Sequence, residues 1–150
     1  MRRIIKGIIH RTWKPYVQWY LKSPRKYRWG EIQIIIQQDV FHPGFFFRTA
    51  FLLRYLAKLP LENKKIIEVG SGSGLLSIFC SKKKAIVSAC DINPAAVENT
   101  ISNALLNQCA FPVHLSNLFA AIPKDKYDYI LVNPPYYKKQ PTTLADHAWY

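Results

Sequence analysis

The chain has 150 residues, enough for one domain with a single core, and 49% of them are apolar. No stretch approaches the roughly 18 uninterrupted apolar residues of a spanning helix, and no apolar N-terminal stretch precedes a small-residue cleavage site, so a cytoplasmic chain with neither span nor signal peptide is expected. The net charge of +12 sets an excess of cations that needs an explanation, and the three cysteines, odd in number and without metal-ligand pairing, read as free core thiols.

The charge is uneven. Residues 1–65 carry fourteen Lys and Arg against Glu31, Asp39 and Glu62, a balance of +11, whereas residues 66–150 carry seven against six. The first thirty residues hold nine cations and no acid, interleaved with Trp13, Tyr16, Trp19, Tyr20, Tyr27 and Trp29. A surface of that composition attracts phosphate. Two other readings compete: a solvated helix face with its aromatics packed inward, and a peripheral membrane helix whose apolar stripe is Ile4, Ile5, Ile8 and Ile9.

In chain order, residues 2–21 read as a basic amphipathic helix and Ser23–Gly30 as a turn-rich connector. Ile32, Ile34 and Ile36 alternate with polar or second-face residues, which predicts a strand halted by Pro43 and Gly44. From Arg48 to Leu59 the apolar spacing predicts a helix that Pro60 stops. The rhythm then changes. Residues 65–84 (KIIEVGSGSGLLSIFCSKKK) hold a short apolar strand, a glycine-rich turn and an apolar helix, and residues 85–91 (AIVSACD) are another apolar strand. The next helix opens with Asn93 as cap and Pro94 at its first position, and FPVHLSN (111–117) and YDYILVN (127–133) add two more strands. Strands alternating with helices predict an α/β fold with right-handed βαβ units and a Rossmann-like, doubly wound parallel sheet covered on both faces by helices.

The glycine turn lies where open α/β sheets bind ligands, beyond the carboxyl ends of their strands. Neither register of the dinucleotide fingerprint fits, because Leu75 or Ser77 stands where the last glycine belongs, and no Gly-Lys-Ser/Thr follows for a phosphate loop. What remains is an acid followed by alternate glycines: Glu68, Gly70, Gly72, Gly74. This resembles the first motif of the class I S-adenosylmethionine-dependent methyltransferases. The resemblance implies S-adenosyl-L-methionine as cofactor, with Gly70, Ser71, Gly72 and Gly74 letting the backbone approach its methionyl part and Glu68 facing its ammonium group, directly or through water. Asp91, which ends the second of these strands 21 residues beyond Gly70, is then expected on the ribose hydroxyls and Ile92 against the adenine. An ordinary helix cap is the bland reading of Asp91. Asn117, followed by Leu118, stands where many relatives carry an aspartate that accepts from the adenine amino group, a bond an asparagine oxygen can also accept.

The last of these strands runs into Asn133, Pro134, Pro135 and Tyr136. This NPPY resembles the fourth motif of methyltransferases that modify a planar amide or exocyclic amine nitrogen. Such a nitrogen is a poor nucleophile because its lone pair is delocalised. Two acceptors, the Asn133 side-chain oxygen and the Pro134 carbonyl, hold its N–H bonds out of plane and aim the lone pair. The prolines stiffen the loop, and Tyr136 offers a ring on which a planar target stacks. A target inside a duplex must first be flipped out.

The stretch VFHPGFFFRTAFLLRYL (40–56) looks like the segment preceding the first motif in the methyltransferase small-domain group, which places His42, Pro43 and Gly44 at the cofactor mouth, with Arg48 and Thr49 starting the supporting helix. A packed loop histidine is the other reading of His42. The organisation implied is a basic N-terminal extension over 1–45 and a partial S-adenosylmethionine-binding methyltransferase domain over 46–150. The family sheet has seven strands in the order 3-2-1-4-5-7-6, of which this chain supplies four, so the expectation is a fold truncated after strand 4. Tyr129, Ile130, Leu131 and Val132 then form an exposed apolar edge that favours self-association. The leading function is N-methylation of an exocyclic amine of an RNA base, in rRNA or tRNA. Glutamine N-methylation on a protein such as a release factor, and a non-catalytic cofactor- or RNA-binding module, are the alternatives.

Overall fold

The computed structural model describes residues 23–38, 40–45 (the side chain of 45 excepted) and 47–134. The helix expected over residues 2–21 and the second half of the NPPY stretch lie outside the described residues.

The described chain opens with a hairpin: β1 (Arg25–Trp29) pairs antiparallel with β2 (Ile32–Ile36), and Gly30 takes φ 57° at the two-residue turn. The connector expected over Ser23–Gly30 is therefore mostly strand. Its alternation is hidden in the sequence because the outward residues, Lys26 and Arg28, are basic while the inward Tyr27 and Trp29 are amphipathic aromatics packed on the core. After a short 3-10 turn (Pro43–Phe45), α1 (Phe47–Leu56) buries Thr49, Leu53 and Leu56. It ends earlier than expected, where Lys58 and Leu59 donate three residues back, to Tyr55 and Leu56, and tighten the last turn before Pro60.

The main sheet holds β3 (Lys65–Val69), β4 (Ile86–Asp91), β5 (Val113–Leu115) and β6 (Tyr129–Val132), all parallel, in the order β5-β4-β3-β6. Helices α2 (Leu75–Lys82) and α3 (Pro94–Leu106) supply the crossovers. Central β3 alternates between two faces. Ile66 faces the three helices in the main core with Leu53, Leu76 and Ile78, while Ile67 and Val69 join Cys90 on the opposite face, under Ile122 and Tyr127 of the 116–128 connection. Each fully buried Ile or Leu here contributes about 1.5–3 kcal/mol of transfer free energy. Cys80, Cys90 and Cys109 are free and buried, and burial pushes the Cys80 thiol up to about 12. No helix among the described residues is long and apolar enough to cross a membrane.

The hairpin is tied to the domain by a row of asparagines on α3. Residues 33, 35 and 37 direct their backbone groups away from β1, which would leave a bare strand edge. Asn107, Asn103 and Asn99, one turn apart, accept from the N–H groups of Gln33 (3.1 Å), Ile35 (2.8 Å) and Gln37 (3.2 Å). Their Nδ2 groups return bonds to the carbonyls of Gln33 (2.6 Å, from Asn107) and Ile35 (2.7 Å from Asn99 and 2.9 Å from Asn103). Side-chain amides thus serve as the missing strand.

Candidate functional site

The strand order reverses at β3, since the chain goes to β4 and β5 on one side and returns as β6 on the other. Val69 pairs with Val132, so the glycine turn and Asn133 leave the sheet side by side at this switch point. A cavity of about 380 Å³ opens there, walled by residues 69–73, 91–93, 116–118 and 132–134, with Val40, Phe41, Pro43 and Thr49 on the N-terminal side.

Gly70, Gly72 and Gly74 all have left-handed φ, of 76°, 53° and 75°. They differ in surroundings. A Cβ on Gly70 would meet no protein atom within 4 Å, whereas one on Gly74 would lie 2.8 Å from Thr100 Cγ2 and 3.2 Å from Thr100 Cα. Gly70 keeps the turn open beside the cavity, and Gly74 lets α2 pack against α3. The turn is held from behind. Cys90 O accepts from the N–H groups of Gly70 and Ser71, Thr100 Oγ1 donates to Gly72 O at 3.1 Å, and Asn103 Nδ2 donates to Ser73 O at 3.0 Å.

Among the described residues, two acids line the cavity, Glu68 and Asp91, and no Lys, Arg or His does. In a chain of net charge +12 the described lining is acidic rather than basic, a poor setting for a phosphate. Burial pushes the Glu68 carboxyl up to about 8, against the opposing pull of Ser77, whose backbone N–H (2.9 Å) and hydroxyl both donate to Glu68 Oε2. Ser77 lies in the first turn of α2, where N–H groups lack helical partners and favour a carboxylate. Asp91 is held at the rim by two backbone bonds of 2.9 Å, Oδ2 accepting from Gly72 and Oδ1 from Asn93. It does not cap α3; Asn93 does, accepting from Ala95 N–H at 3.0 Å with Pro94 next in the helix. Ile92, Asn117 and Leu118 line the wall beyond it.

Asn133 sits opposite the glycine turn. Its Nδ2 donates to Thr49 Oγ1 at 3.1 Å, and its Oδ1 is buried with no hydrogen-bond partner among the described residues. A buried acceptor left unpaired costs about 1–3 kcal/mol, so it marks either strain or a place reserved for a donor. Pro134 follows it on the cavity wall; Pro135 and Tyr136 lie outside the described residues.

The mouth differs from the expectation at two of its three residues. Pro43 lines the cavity, but His42 and Gly44 do not: His42 is packed edge-to-face with Tyr27, its Nδ1 accepts from Gly44 N–H at 3.1 Å, and burial lowers its pKa, while Gly44 lies against the Tyr27 ring. Sequence reasoning placed Thr49 only at a helix start and passed over Val40 and Phe41. The available signal for Thr49 was a hydroxyl standing in the buried row that continues with Leu53 and Leu56.

The sequence model of the methyltransferase small domain matches residues 31–148. Over 107 residues the chain is 39% identical to a protein provisionally named protein N5-glutamine methyltransferase in Methanocaldococcus jannaschii, a match covering 70% of this chain and 51% of that one. It is 30% identical over 124 residues to ribosomal RNA small subunit methyltransferase C of Escherichia coli, covering 77% and 35% of the two chains. A solved structure of the T. thermophilus 16S rRNA N2 G1207 methyltransferase, in complex with AdoMet and guanosine, superposes with a TM-score of 0.64 over 76% of this chain and 33% of that one; at 19% identity the likeness is one of fold. The chain spans about half the length, or less, of the curated relatives it matches.

Proposed function

The chain belongs to the methyltransferase small domain family, and from that premise we propose that it binds S-adenosylmethionine in the cavity at the switch point and methylates the nitrogen of a planar NH₂ group. The observation that carries this reading is the unpaired, buried Oδ1 of Asn133 beside the glycine turn. An acceptor with no donor among the described residues, on a side chain that lines the cavity, fits a substrate N–H.

The cofactor, when bound, supplies an electrophilic methyl group on a sulfonium cation. A bound cation would draw the raised Glu68 pKa back down, so that Glu68 and Asp91 together would favour its positive charge and ammonium tail, and Asp91, held by Gly72 and Asn93, keeps lone pairs free for the ribose hydroxyls. The backbone at Gly70, Ser71 and Gly72, with Gly74 closing the turn, admits the methionyl part, and Ile92, Asn117 and Leu118 surround the adenine. Asn133 Oδ1 and the Pro134 carbonyl accept the two N–H bonds of the substrate and turn its lone pair out of plane. Pro135 fixes that carbonyl, and Tyr136 stacks on the planar target. Holding the nucleophile in line replaces strong base catalysis, an effect worth up to about 7–11 kcal/mol in well-oriented systems.

The substrate we favour is an exocyclic amine of an RNA base, because the balance of +11 over residues 1–65 suits a polyanion. Glutamine in a protein is the second reading, favoured by the 39% identity to the M. jannaschii relative; a carboxamide satisfies the same two acceptors. Incubation with tritiated S-adenosylmethionine and extract from cells lacking the gene, followed by separate nuclease and protease digestion, tests both. Label released by nuclease and lost in Asn133→Ala supports the RNA reading, and label released by protease supports the second. Cofactor binding by calorimetry without label in either fraction would leave only a binding module.

A further inference from the structure

We infer that the outer face of α1 is a binding surface for single-stranded RNA, on which bases stack against Phe47, Phe51 and Tyr55 while Arg54 and Lys58 take the phosphates. The inference deepens the RNA reading proposed above and rests on it for the link to methyl transfer.

α1 has two unlike faces. Thr49, Leu53 and Leu56 are buried on one. Phe47, Phe51 and Tyr55, each about one turn beyond the last, are 80%, 65% and 55% exposed on the other. Three aromatic side chains left in water at successive turns mark an interaction surface. Arg54 and Lys58, three residues after Phe51 and Tyr55, are exposed beside the rings, and residues 47–60 contain no acid.

The charges decide what can cover this face. Lys64, Lys65 and Lys84 are paired with Asp128, Asp125 and Glu62, whereas Arg54 and Lys58 have no acid partner among the described residues. A protein surface laid over the rings would have to neutralise these cations or bury them unpaired. The sequence before residue 23 contains no acid, the sequence after residue 134 contains only Asp146, and a second copy of the chain brings a further net charge of +12. A polynucleotide meets both demands, because phosphates neutralise the cations and every base has a planar face for a ring. A duplex keeps its base faces stacked inside, which selects a single strand. A helix that lies on a membrane keeps its cations opposite its apolar face, whereas here cations and rings share one face. Thr49, two residues from Phe47 on the same helix, lines the cavity, so a strand on α1 would start beside the mouth.

Fluorescence anisotropy of a short fluorescein-labelled oligouridylate with the 150-residue chain, without cofactor, tests the surface. The wild type is expected to bind, Phe51→Ala with Tyr55→Ala to lose about tenfold or more in affinity, and Phe51→Trp with Tyr55→Trp to retain it. Arg54→Gln with Lys58→Gln should lower the slope of log affinity against log salt by up to about 1.4. These side chains are exposed, so the variants should melt with the wild type and bind S-adenosylmethionine as it does in calorimetry. An RNA duplex of the same length should bind more weakly and be insensitive to the alanine pair. The inference is overturned by a wild type that does not bind oligouridylate, by an alanine pair that binds it undiminished, or by an equal loss on duplex RNA, polyglutamate or phosphatidylserine vesicles. Oligouridylate binding through the rings in a chain that neither binds S-adenosylmethionine nor labels extract upholds the surface and removes the methyl-transfer reading; S-adenosylmethionine binding and labelling without oligouridylate binding do the reverse.

Discussion

Ser77 directs both its backbone N–H and its hydroxyl onto a single oxygen of Glu68, nine residues upstream and 3% exposed at the end of the central strand. Even with that support, burial holds the Glu68 carboxyl at about 8, above its ordinary value. A carboxyl whose folded pKa is raised binds a proton in the native state that the unfolded chain has released, so its contribution to stability is complete below about pH 4.5 and is lost as pH rises towards 8.

Glu68→Gln, which resembles the protonated acid, is therefore expected to flatten the pH dependence of the melting temperature between about pH 5 and 8, the difference growing with pH to a few kcal/mol. Asp125 and Asp128, lowered by hydrogen bonds from Lys65 and its neighbours, change protonation only at pH values below this window and do not enter the comparison. Parallel melting curves for wild type and variant across this range would contradict the assignment.

Two glycine substitutions should separate folding from binding. Gly74→Ala must accept a left-handed backbone and a 2.8 Å approach to Thr100, and is expected to cost about 2–4 kcal/mol in urea unfolding. Gly70→Ala meets no protein atom, so only the left-handed conformation is penalised, by about 1–2 kcal/mol, while its new methyl group obstructs S-adenosylmethionine. Equal destabilisation in the two would mean that the turn is packed alike on both sides.

Asn103 and Asn99 provide a second pair. Asn103→Leu strands Ile35 N–H and Ser73 O, at about 1–3 kcal/mol each, and loosens the glycine turn from the hairpin. Asn99→Leu strands only Gln37 N–H, because Ile35 O keeps Asn103. The midpoint of chemical unfolding should fall about twice as far in the first, and S-adenosylmethionine affinity should fall only in the first.

β6 has a neighbour on one side alone among the described residues, and its Ile130 and Val132 are 54% and 50% exposed. An apolar edge of this kind recruits another chain. Light scattering at micromolar concentration is expected to give a mass above the monomer, shifted towards it by Ile130→Lys. A monodisperse wild-type monomer would refute self-association through this edge.

Much of the site was legible in the residues. Alternation of short apolar runs with helical spacing located every strand of the parallel sheet among the described residues, Asn93 and Pro94 announced a helix start, and the spacing from Glu68 through Gly72 to Asp91 and Asn133 singled out residues that the fold gathers around one cavity. These signals are local, because backbone conformation at a glycine, a cap or a strand end depends on the few residues around it.

Partners distant in sequence were not legible. The hairpin strand Arg25–Trp29 looked like a connector because its outward residues carry charge. Nothing in the sequence singled out Asn99, Asn103 and Asn107, which are buried as a substitute strand. Thr49 passed for a helix start, although its hydroxyl meets the amide on which the proposed chemistry turns. From its sequence alone the chain declares which residue types its chemistry uses and the order in which they come. Tertiary packing alone decides which polar groups are already satisfied, since hydrogen bonds depend on distances that no linear spacing encodes.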